Sequence, residues 1–487
     1  MFFPTSCKLH LRAVAIVLLI ASSLLAQSGA AAKPPADTNH GACEPCIRAH
    51  MEFLASDALH GRGSATADEL TAAVYAATAL ERYGVAPAGD AGGYIQNVNL
   101  TVPKVTSAPQ LQFTSGSSQT TWTHGKGMVV SRLAKADSSG PLQRLTLKSK
   151  PSEVKPGAFV FLSLPAELDL QGLQQQLQAW LGGLQPSAEG AEAILIPAIP
   201  ALRSRWNVLA GQEPSLPTEI EGVPHEPKLR RLALVILSED ATRALAALPE
   251  GAALRLHAPV QDEKRQTRNV IGKLEGTDPQ HVILLTAHMD HLGVGRPVNG
   301  DDIYNGADDD ASGTTAVLEL ARALAAGPRL RRTVLFVLFG SEEMGALGSR
   351  YFREHPPLPL SDVAAYLEFE MLGRPDSAVP GHALWLTGWE RSDLGPALAA
   401  HGAHLVADPH PEEDFFQRSD NYVFALSGMV AQTVGSFGLH HDYHRPSDDL
   451  SHIDFAHMDE AIGSMIEPVR WLANSDFTPH WLPGKKP

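Results

Sequence analysis

Short apolar runs alternate with amphipathic stretches in the last 220 or so residues of the chain, which predicts alternating strands and helices. The predicted strands cover residues 282–287, 333–339, 363–372 and 429–434. The predicted helices cover residues 312–326, 345–355 and 454–475. This alternation predicts a mainly parallel sheet with helices on both faces. In such sheets, functional residues gather at the carboxyl ends of the strands.

The pattern of apolar and polar residues is different from about residue 101 to 265. Strand-like apolar runs occur at 158–164, 193–196 and 232–237, and a helical stripe runs from Leu170 to Leu184. Proline-rich breaks surround these elements, and we find no cluster of chemically reactive residues among them. The stripe is typical of core packing.

Residues 1–32 have the composition of a secretory signal. Lys8 and Arg12 precede an apolar run of 14 residues, Ala13 to Ala26, which is shorter than the ~20 residues that span a bilayer. We expect cleavage between Ala26 and Lys33 and a secreted or periplasmic protein, with an uncleaved anchor as the alternative. Beyond the signal, Cys43 and Cys46 are expected to form a local disulfide. Two free thiols are the alternative.

Composition narrows the class of protein. The 487 residues, 44% hydrophobic and 19% charged, indicate a globular protein of two or three domains. The formal net charge is −15, from 54 acidic and 39 basic residues. This charge argues against nucleic acid as a partner and against stable membrane association after signal cleavage.

Carboxylates and histidines cluster where the predicted strands end. The segments are 288–290, 308–310, 342–343, 368–370 and 441–444. Each alone has an ordinary interpretation, as a satisfied polar pair, a solvated acidic loop or a surface histidine cluster. Together at one sheet edge, unpaired carboxylates would repel one another, and cations resolve that conflict. Imidazole and carboxylate together form a ligand set suited to zinc, although the sequence also leaves cobalt and manganese open.

A charge count favours two ions at this edge. The three carboxylates of Asp309, Glu343 and Glu370, plus one hydroxide, would balance two Zn²⁺, with His288 and His444 as neutral ligands. Two metals ~3.5–4 Å apart can clamp a water and lower its pKa from 15.7 toward ~7.

Nine motifs resemble one family, the co-catalytic di-zinc aminopeptidases (peptidase family M28), in the secreted bacterial branch with a protease-associated-type insert. The motifs are FLASDALHGRGSAT, GGYIQNV, TRNVIGKLEGTD, AHMDHLG, NGADDDASG, FGSEEMGALGS, FEMLGRP, SDNYVF and YHRPSDD. The resemblance implies an α/β zinc exopeptidase fold, a mainly parallel mixed sheet flanked by helices. Residues 33–104 and 266–487 would form the peptidase domain, and residues 105–265 a smaller inserted β-rich α/β domain.

The resemblance also implies a role for individual residues. His288 and Glu370 would ligate one zinc, Glu343 and His444 the other, and Asp309 would bridge both. Glu342 would be the general base, and Asp290 would orient His288. A cis peptide bond is implied between Asp309 and Asp310.

Three positions leave alternatives open. Many family members have Asp at position 370, and Glu368 lies on the same face of an ideal strand, which makes it a rival ligand. Asn421 stands where the family often has His, so the pocket wall near Asp420 is not fixed by the resemblance. Tyr443 is either a hydrogen-bond donor to the reaction's oxyanion or a packing aromatic.

The resemblance implies an aminopeptidase with two Zn²⁺ per chain that hydrolyses the N-terminal residue from peptides with a free amino end. A hydroxide bridging the metals would attack, and Glu342 would carry the proton to the leaving amine. Related folds also include carboxypeptidases, for which Arg374 and Arg445 are candidate carboxylate clamps, as well as glutaminyl cyclases and receptor-like binding proteins without activity.

Overall fold

The computed structural model describes residues 41–115, 118–182, 184, 190–224 and 232–487. The predicted signal peptide, residues 1–32, lies outside the described residues. Within the described ranges, no helix combines the length and the apolar character needed to cross a bilayer.

Strands are numbered in chain order. They are β1 (Ala86–Pro87), β2 (Ile95–Val105), β3 (Gln110–Ser115), β4 (Ser118–His124), β5 (Gly127–Arg132), β6 (Asp137–Thr146), β7 (Phe159–Ser163), β8 (Ala193–Pro197), β9 (Glu219–Ile220), β10 (Ala233–Leu237), β11 (Ala253–His257), β12 (Val260–Leu274), β13 (Asp278–His288), β14 (Gly293–Val298), β15 (Asp301–Tyr304), β16 (Arg332–Phe339), β17 (Val363–Phe369), β18 (Leu384–Leu386), β19 (Leu405–Ala407) and β20 (Ala431–Gly435).

Helices are numbered in the same way. The α-helices are α1 (Glu44–Leu54), α2 (Ala67–Arg82), α3 (Leu170–Gly182), α4 (Pro200–Arg203), α5 (Trp206–Ala210), α6 (Glu239–Ala246), α7 (Gly313–Ala326), α8 (Leu347–Glu354), α9 (Leu394–Ala400), α10 (Asn421–Ala425) and α11 (Phe455–Asn474). Short 3₁₀ turns cover Asp57–Arg62, Asp90–Gly92, Pro151–Glu153, Leu360–Asp362, Trp389–Arg391, Pro411–Glu413, Phe415–Gln417 and Leu450–His452, and a wider turn covers Ala307–Ser312.

A ten-stranded mixed sheet forms the framework of the described part of the chain. Its order is β19-β18-β20-β17-β13-β16-β12-β2-β9, with β1 paired to β12. The four strands at its centre, β20, β17, β13 and β16, are parallel, whereas β12 and β2 continue the sheet antiparallel. The α/β fold class is therefore confirmed, and its parallel strands are concentrated at the centre of the sheet.

Both faces of the central strands of this sheet are buried, which explains the continuous apolar runs in the sequence. On β13, Ile283 and Leu285 face a core built with α1, α2, α7 and α11. Val282 and Leu284 face the opposite core, with α8 and α10. Because side chains alternate along a strand, one apolar strand serves both layers.

A second unit, a closed barrel, is formed by strands between Gln110 and His257. Its order is β10-β5-β4-β3-β11-β6-β7-β8. The long strands β2 and β12, paired from Ile95 with Val270 to Val105 with Val260, lead from the large sheet to the barrel. The barrel strands lie inside the predicted insert, whose boundaries at 105 and 265 stay a prediction.

The predicted disulfide and the predicted end of one strand both lie within the described residues. Cys43 and Cys46 are joined by a disulfide at the start of α1. The strand predicted at 363–372 ends earlier, at Phe369, because the chain turns at Met371, which has a positive φ of 54°. That turn takes Glu370 out of the regular strand and directs the following Leu372 and Gly373 toward the loop at 308–312.

Candidate metal centre

Parallel neighbouring strands bring the predicted ligands to one edge. His288 is the last residue of β13, Glu370 directly follows β17, and Glu343 lies just beyond the end of β16. Since the carboxyl ends of these three adjacent strands meet at the same edge, their side chains converge. Asp309, in the turn before α7, and His444, in the loop after β20, complete the cluster.

The first group of potential ligands is His288, Asp309 and Glu370. One donor atom from each lies within 4.8 Å of the other two. His288 Nε2 is 3.2 Å from Asp309 Oδ1. Glu370 is anchored by its backbone N–H, which donates to the carbonyl of Val434 on β20 at 3.0 Å.

The second group shares Asp309 with the first. Donor atoms of His291, Asp309 and Glu343 lie within 4.8 Å of one another. His444 Nε2 lies 3.1 Å from Asp309 Oδ2 and 3.3 Å from Glu343 Oε2. The structure thus brings all five predicted ligands together, with Asp309 between two sets, and adds a buried histidine, His291.

The turn that carries Asp309 is fixed by its two acidic neighbours. Asp310 accepts backbone N–H bonds from Gly313 at 2.9 Å and Met371 at 3.1 Å. Asp308 accepts the backbone N–H of Gly373 at 2.6 Å. The peptide bond between Asp309 and Asp310 is cis, as the resemblance implied. Of the three consecutive aspartates, only Asp309 faces the ligand cluster.

Asp448 reinforces the same turn from the loop after His444. Its carboxylate accepts the backbone N–H groups of Asp308 and Asp309, each at 3.0 Å, and Arg374 donates to it at 3.2 Å. Burial, followed by the charge of Asp308, raises the pKa of Asp448 to about 6. Sequence reasoning assigned no role to Asp448, although it lies inside the quoted YHRPSDD motif.

Asp290 contacts His288 differently from the expectation. His288 Nδ1 lies 3.2 Å from the backbone carbonyl of Asp290 and 3.8 Å from its carboxylate. The carboxylate instead accepts the backbone N–H of Glu342 at 3.0 Å and of Glu343 at 3.4 Å, and the Ser64 hydroxyl at 2.5 Å. Asp290 therefore holds the Glu342–Glu343 segment with its side chain and the imidazole with its backbone.

Glu342 lies among other carboxylates next to the cluster. Burial, and then the charges of Asp420, Glu343 and Glu370, raise its pKa well above the usual glutamate value. Burial likewise raises the pKa of Asp420 to about 7, and Ser349 donates a hydrogen bond to that side chain.

The rival carboxylate Glu368 points away from the ligand cluster. Its Oε2 accepts the backbone N–H of Asn421 at 2.6 Å and lies 3.3 Å from the Thr433 hydroxyl. Burial and the neighbouring Asp420 and Glu370 raise the pKa of Glu368 well above its usual value. Glu370, not Glu368, shares a donor group with His288 and Asp309.

A mainly apolar pocket opens beside Glu370. Its lining residues are Glu370, Met371, Trp385, Thr387, Phe415, Arg418, Thr433, Phe437 and Tyr443. The ring of Tyr443 stacks on His444 with centroids 3.9 Å apart, and burial raises the pKa of its hydroxyl, which therefore stays protonated. Asn421 is not part of this wall, because its side chain donates to the carbonyls of Phe416 and Ala431.

Imidazoles and carboxylates share protons in the cluster. Burial opposes charge on His444, but hydrogen bonds to Asp309 and Glu343 raise its pKa to about 10. Burial would raise the pKa of Asp309, yet the close approach of His288 Nε2 and the nearby His291 and His444 hold it well below its usual value. A metal that binds here must displace these protons, so metal affinity falls as the pH falls.

The donor set fits zinc. Three donor atoms in it, His288 Nε2, His291 Nδ1 and Glu343 Oε1, are buried without a hydrogen-bond partner among the described residues. Buried polar atoms are rarely left without partners, and a cation would satisfy them. Imidazole nitrogens and carboxylate oxygens around a shared aspartate are ligands that zinc accepts in catalytic sites.

Sequence reasoning missed Arg62, whose side chain links the segments that carry His288 and Asp309. It is fully buried, and its guanidinium donates to the carbonyls of Leu54, Met289, Asn305 and Gly306 at 2.5–2.9 Å. Met289 separates His288 from Asp290, and Gly306 begins the turn that carries Asp309. Arg62 lies in the quoted motif FLASDALHGRGSAT, but nothing in that string indicates where its side chain points.

The chain is similar in sequence to a peptidase family and to curated aminopeptidases. A sequence model of the family described as Peptidase family M28 matches residues 269–467. The chain is 30% identical over 210 residues to "probable leucine aminopeptidase 2" of Aspergillus oryzae, covering 40% of this chain and 39% of the relative. It is 34% identical over 191 residues to "Probable lipoprotein aminopeptidase LpqL" of Mycobacterium tuberculosis, covering 39% of this chain and 34% of that protein.

The matched region thus spans well under half the length of these curated relatives. A solved structure, the aminopeptidase from Aneurinibacillus sp. strain AM-1, resembles this chain with a TM-score of 0.53 and 16% identity, over 90% of this chain and 95% of that one. At 16% identity, this similarity is evidence for a shared fold only. The match to the sequence model of peptidase family M28, over residues 269–467, contains all the residues of the cluster.

Proposed function

We propose that this chain is a secreted zinc aminopeptidase that binds two Zn²⁺ and hydrolyses the N-terminal residue from peptides. The observation that carries the proposal is the pair of ligand groups that share Asp309. In this proposal His288, Asp309 and Glu370 hold one ion, and Asp309, Glu343 and His444 hold the other. The curated relatives named as aminopeptidases support the same activity.

When bound, two zinc ions polarise the scissile carbonyl and acidify the attacking water. Glu342 takes the proton from that water and passes it to the leaving amine. Its backbone N–H is held by Asp290, which fixes the base beside the ligand cluster. Tyr443 donates a hydrogen bond to the oxyanion, because its hydroxyl stays protonated and its ring lies against His444.

In this proposal, the pocket beside Glu370 binds the side chain of the substrate's N-terminal residue. Trp385 stacks on Phe415 with centroids 5.4 Å apart, and Phe415 meets Phe437 edge-on at 5.7 Å. These rings offer an apolar surface next to a metal ligand, so we expect a preference for substrates that begin with a large apolar residue. The substrate's free amino group would lie at the pocket entrance, near Glu370.

A carboxypeptidase is the second candidate, because Arg418 also lines the pocket. A guanidinium is a suitable clamp for a substrate carboxylate. Arg418 is partly engaged, since it lies over the Phe415 ring and 3.5 Å from Glu413. Arg374, which the sequence offered for this role, is paired with Asp442 at 2.8 Å and with Asp448.

Peptides blocked at either end distinguish the two activities. We expect the zinc-loaded protein to release leucine from Leu-Gly-Gly and from its C-terminal amide, and to leave N-acetyl-Leu-Gly-Gly intact. Loss of activity with a chelator and its return on adding Zn²⁺ would tie the reaction to the metal. Hydrolysis of the N-acetylated peptide together with failure on the amide would favour the carboxypeptidase. A protein that binds two zinc ions and cleaves neither peptide would contradict the proposal.

Replacing each of the two rival carboxylates tests the ligand set. We expect Glu370→Gln to lower the affinity for one of the two zinc ions by more than about 100-fold, because a charged ligand is lost. Glu368→Gln should keep both ions, since Glu368 is held by Asn421 and Thr433 outside the donor group. Zinc retained after dialysis against a graded chelator series measures both. The opposite result, one zinc lost in Glu368→Gln only, would reverse the assignment.

A further inference from the structure

A buried histidine outside the predicted ligand set lies against the second group. His291 has no exposed surface, and its backbone N–H donates to the carbonyl of Arg62 at 3.2 Å. Its ring rests on Gly306, where an added Cβ would come within 2.5 Å of the His291 Cγ. The imidazole is therefore held in one position by packing and by the backbone.

Its Nδ1 atom is close to two metal-site carboxylates without forming a regular hydrogen bond. The distance is 2.8 Å to Glu343 Oε1 and 3.8 Å to Asp309 Oδ2. Even so, His291 Nδ1 and Glu343 Oε1 both lack a hydrogen-bond partner within the described part of the chain. A hydrogen bond requires the N–H to point at the acceptor. Two ligands of one ion instead lie close together while both point at a third position between them.

The distances around Glu343 and Asp309 lie on both sides of those expected for a tetrahedral site. Ligands held about 2.0–2.1 Å from a tetrahedral zinc lie roughly 3.3–3.4 Å from one another. The distances from His291 Nδ1 to the two carboxylates, 2.8 and 3.8 Å, lie on either side of that value. Those from His444 Nε2 to the same two carboxylates are 3.1 and 3.3 Å.

We propose that His291 is a further ligand of the ion held by Asp309, Glu343 and His444, so that this site contains two imidazoles and the other contains one. This inference rests on the proposed two-zinc function. A second imidazole adds a ligand without adding charge, and imidazole is a preferred ligand of zinc over magnesium or calcium. The site with two histidines should therefore hold its zinc more tightly than the site of His288 and Glu370.

The variants His291→Ala and His291→Gln test this assignment through metal binding, measured separately from activity. Both should keep one zinc with wild-type affinity and hold the other at least about 10-fold more weakly in competition with a chelator. Gln can still donate a hydrogen bond to Glu343 but is a poor zinc ligand, so it separates ligation from positioning. With Co²⁺ in place of Zn²⁺, the visible absorption of the second site should change in both variants, because its ligand set changes.

His440→Ala is the matched control. His440 is a nearby, largely buried histidine whose Nε2 lies 2.9 Å from Asp308 Oδ2, outside both donor groups. We expect it to keep two zinc ions and the wild-type cobalt spectrum. Melting of the metal-free proteins, unchanged within a few degrees, would show that the variants fold.

Two results would overturn the inference. One is a His291→Ala protein that keeps both affinities and the wild-type cobalt spectrum. The other is full recovery of the second affinity in His291→Gln, which would make His291 a hydrogen-bond donor that positions Glu343. Either result leaves the proposed function intact if the wild-type protein still binds two zinc ions and cleaves Leu-Gly-Gly. Absence of zinc binding by the wild-type protein would instead contradict the proposed function itself.

Discussion

Replacing Glu342 with Gln should lower kcat for Leu-Gly-Gly by about 10²–10⁴-fold while the protein keeps two zinc ions. The amide has the same shape as the carboxylate but cannot accept the proton from the attacking water. Glu342 is not part of either donor group, so the ligands should keep their positions. Its backbone N–H contact with Asp290 does not depend on the side chain and should also survive.

Parallel measurements of turnover and metal content are needed for this variant. Steady-state kinetics gives kcat and KM, and elemental analysis after dialysis gives zinc per chain. KM should change little, because the substrate is held by the pocket beside Glu370 and by the metals. Glu368→Gln, which makes the same change at a buried glutamate outside the donor groups, is the matched control. Near-wild-type turnover in Glu342→Gln with two zinc ions bound would mean that another group moves the proton.

The parallel sheet and most of the candidate ligands could be predicted from the sequence, because both leave local signals in it. Residues 282–288 of β13 and all of β16 are buried and appear in the sequence as apolar runs, and their ends are marked by His288 and by Glu342–Glu343. The structure locates those strands within a few residues of the predicted bounds. The antiparallel β2 and β12 gave no such signal, because they are half-exposed over much of their length and their pairing joins residues more than 150 positions apart.

The contacts that hold the candidate ligands in place were not predictable, because they depend on turns and on segments that are distant in the sequence. Whether Glu368 or Glu370 faces the cluster depends on the turn at Met371, which a strand periodicity argument ignores. The position of the Asp290 carboxylate depends on backbone N–H groups that follow another strand. His291 was visible in AHMDHLG, but only the three-dimensional approach of the Glu343 loop shows what its ring contacts.

Arg62 has the largest expected effect on stability among the residues that only the structure identifies. Its guanidinium satisfies four buried carbonyl groups from three separate segments, the end of α1, the residue between His288 and Asp290, and the turn at 305–306. In Arg62→Met these carbonyls lose the guanidinium donor, and only that of Gly306 is known to keep another, the backbone N–H of Ala311. Unsatisfied buried polar groups cost about 1–3 kcal/mol each without being additive. We expect the free energy of unfolding to fall by about 3–5 kcal/mol.

Arg62→Lys tests whether the positive charge alone is sufficient or the four hydrogen bonds are needed. A lysine keeps the positive charge near the carboxylates that surround Arg62, those of Asp290, Asp309, Asp310 and Asp448. It concentrates its three donors at one nitrogen, however, so it cannot reach all four carbonyls. We expect a loss of stability between those of Arg62→Met and the wild-type protein, and weaker zinc binding in both variants because the segments that carry His288 and Asp309 are no longer held together. Denaturant unfolding and chelator competition measure the two effects, with the exposed Arg296→Lys as control. If Arg62→Lys matched the wild-type protein in both, charge alone would be sufficient, and the four-carbonyl geometry would not be what positions the metal site.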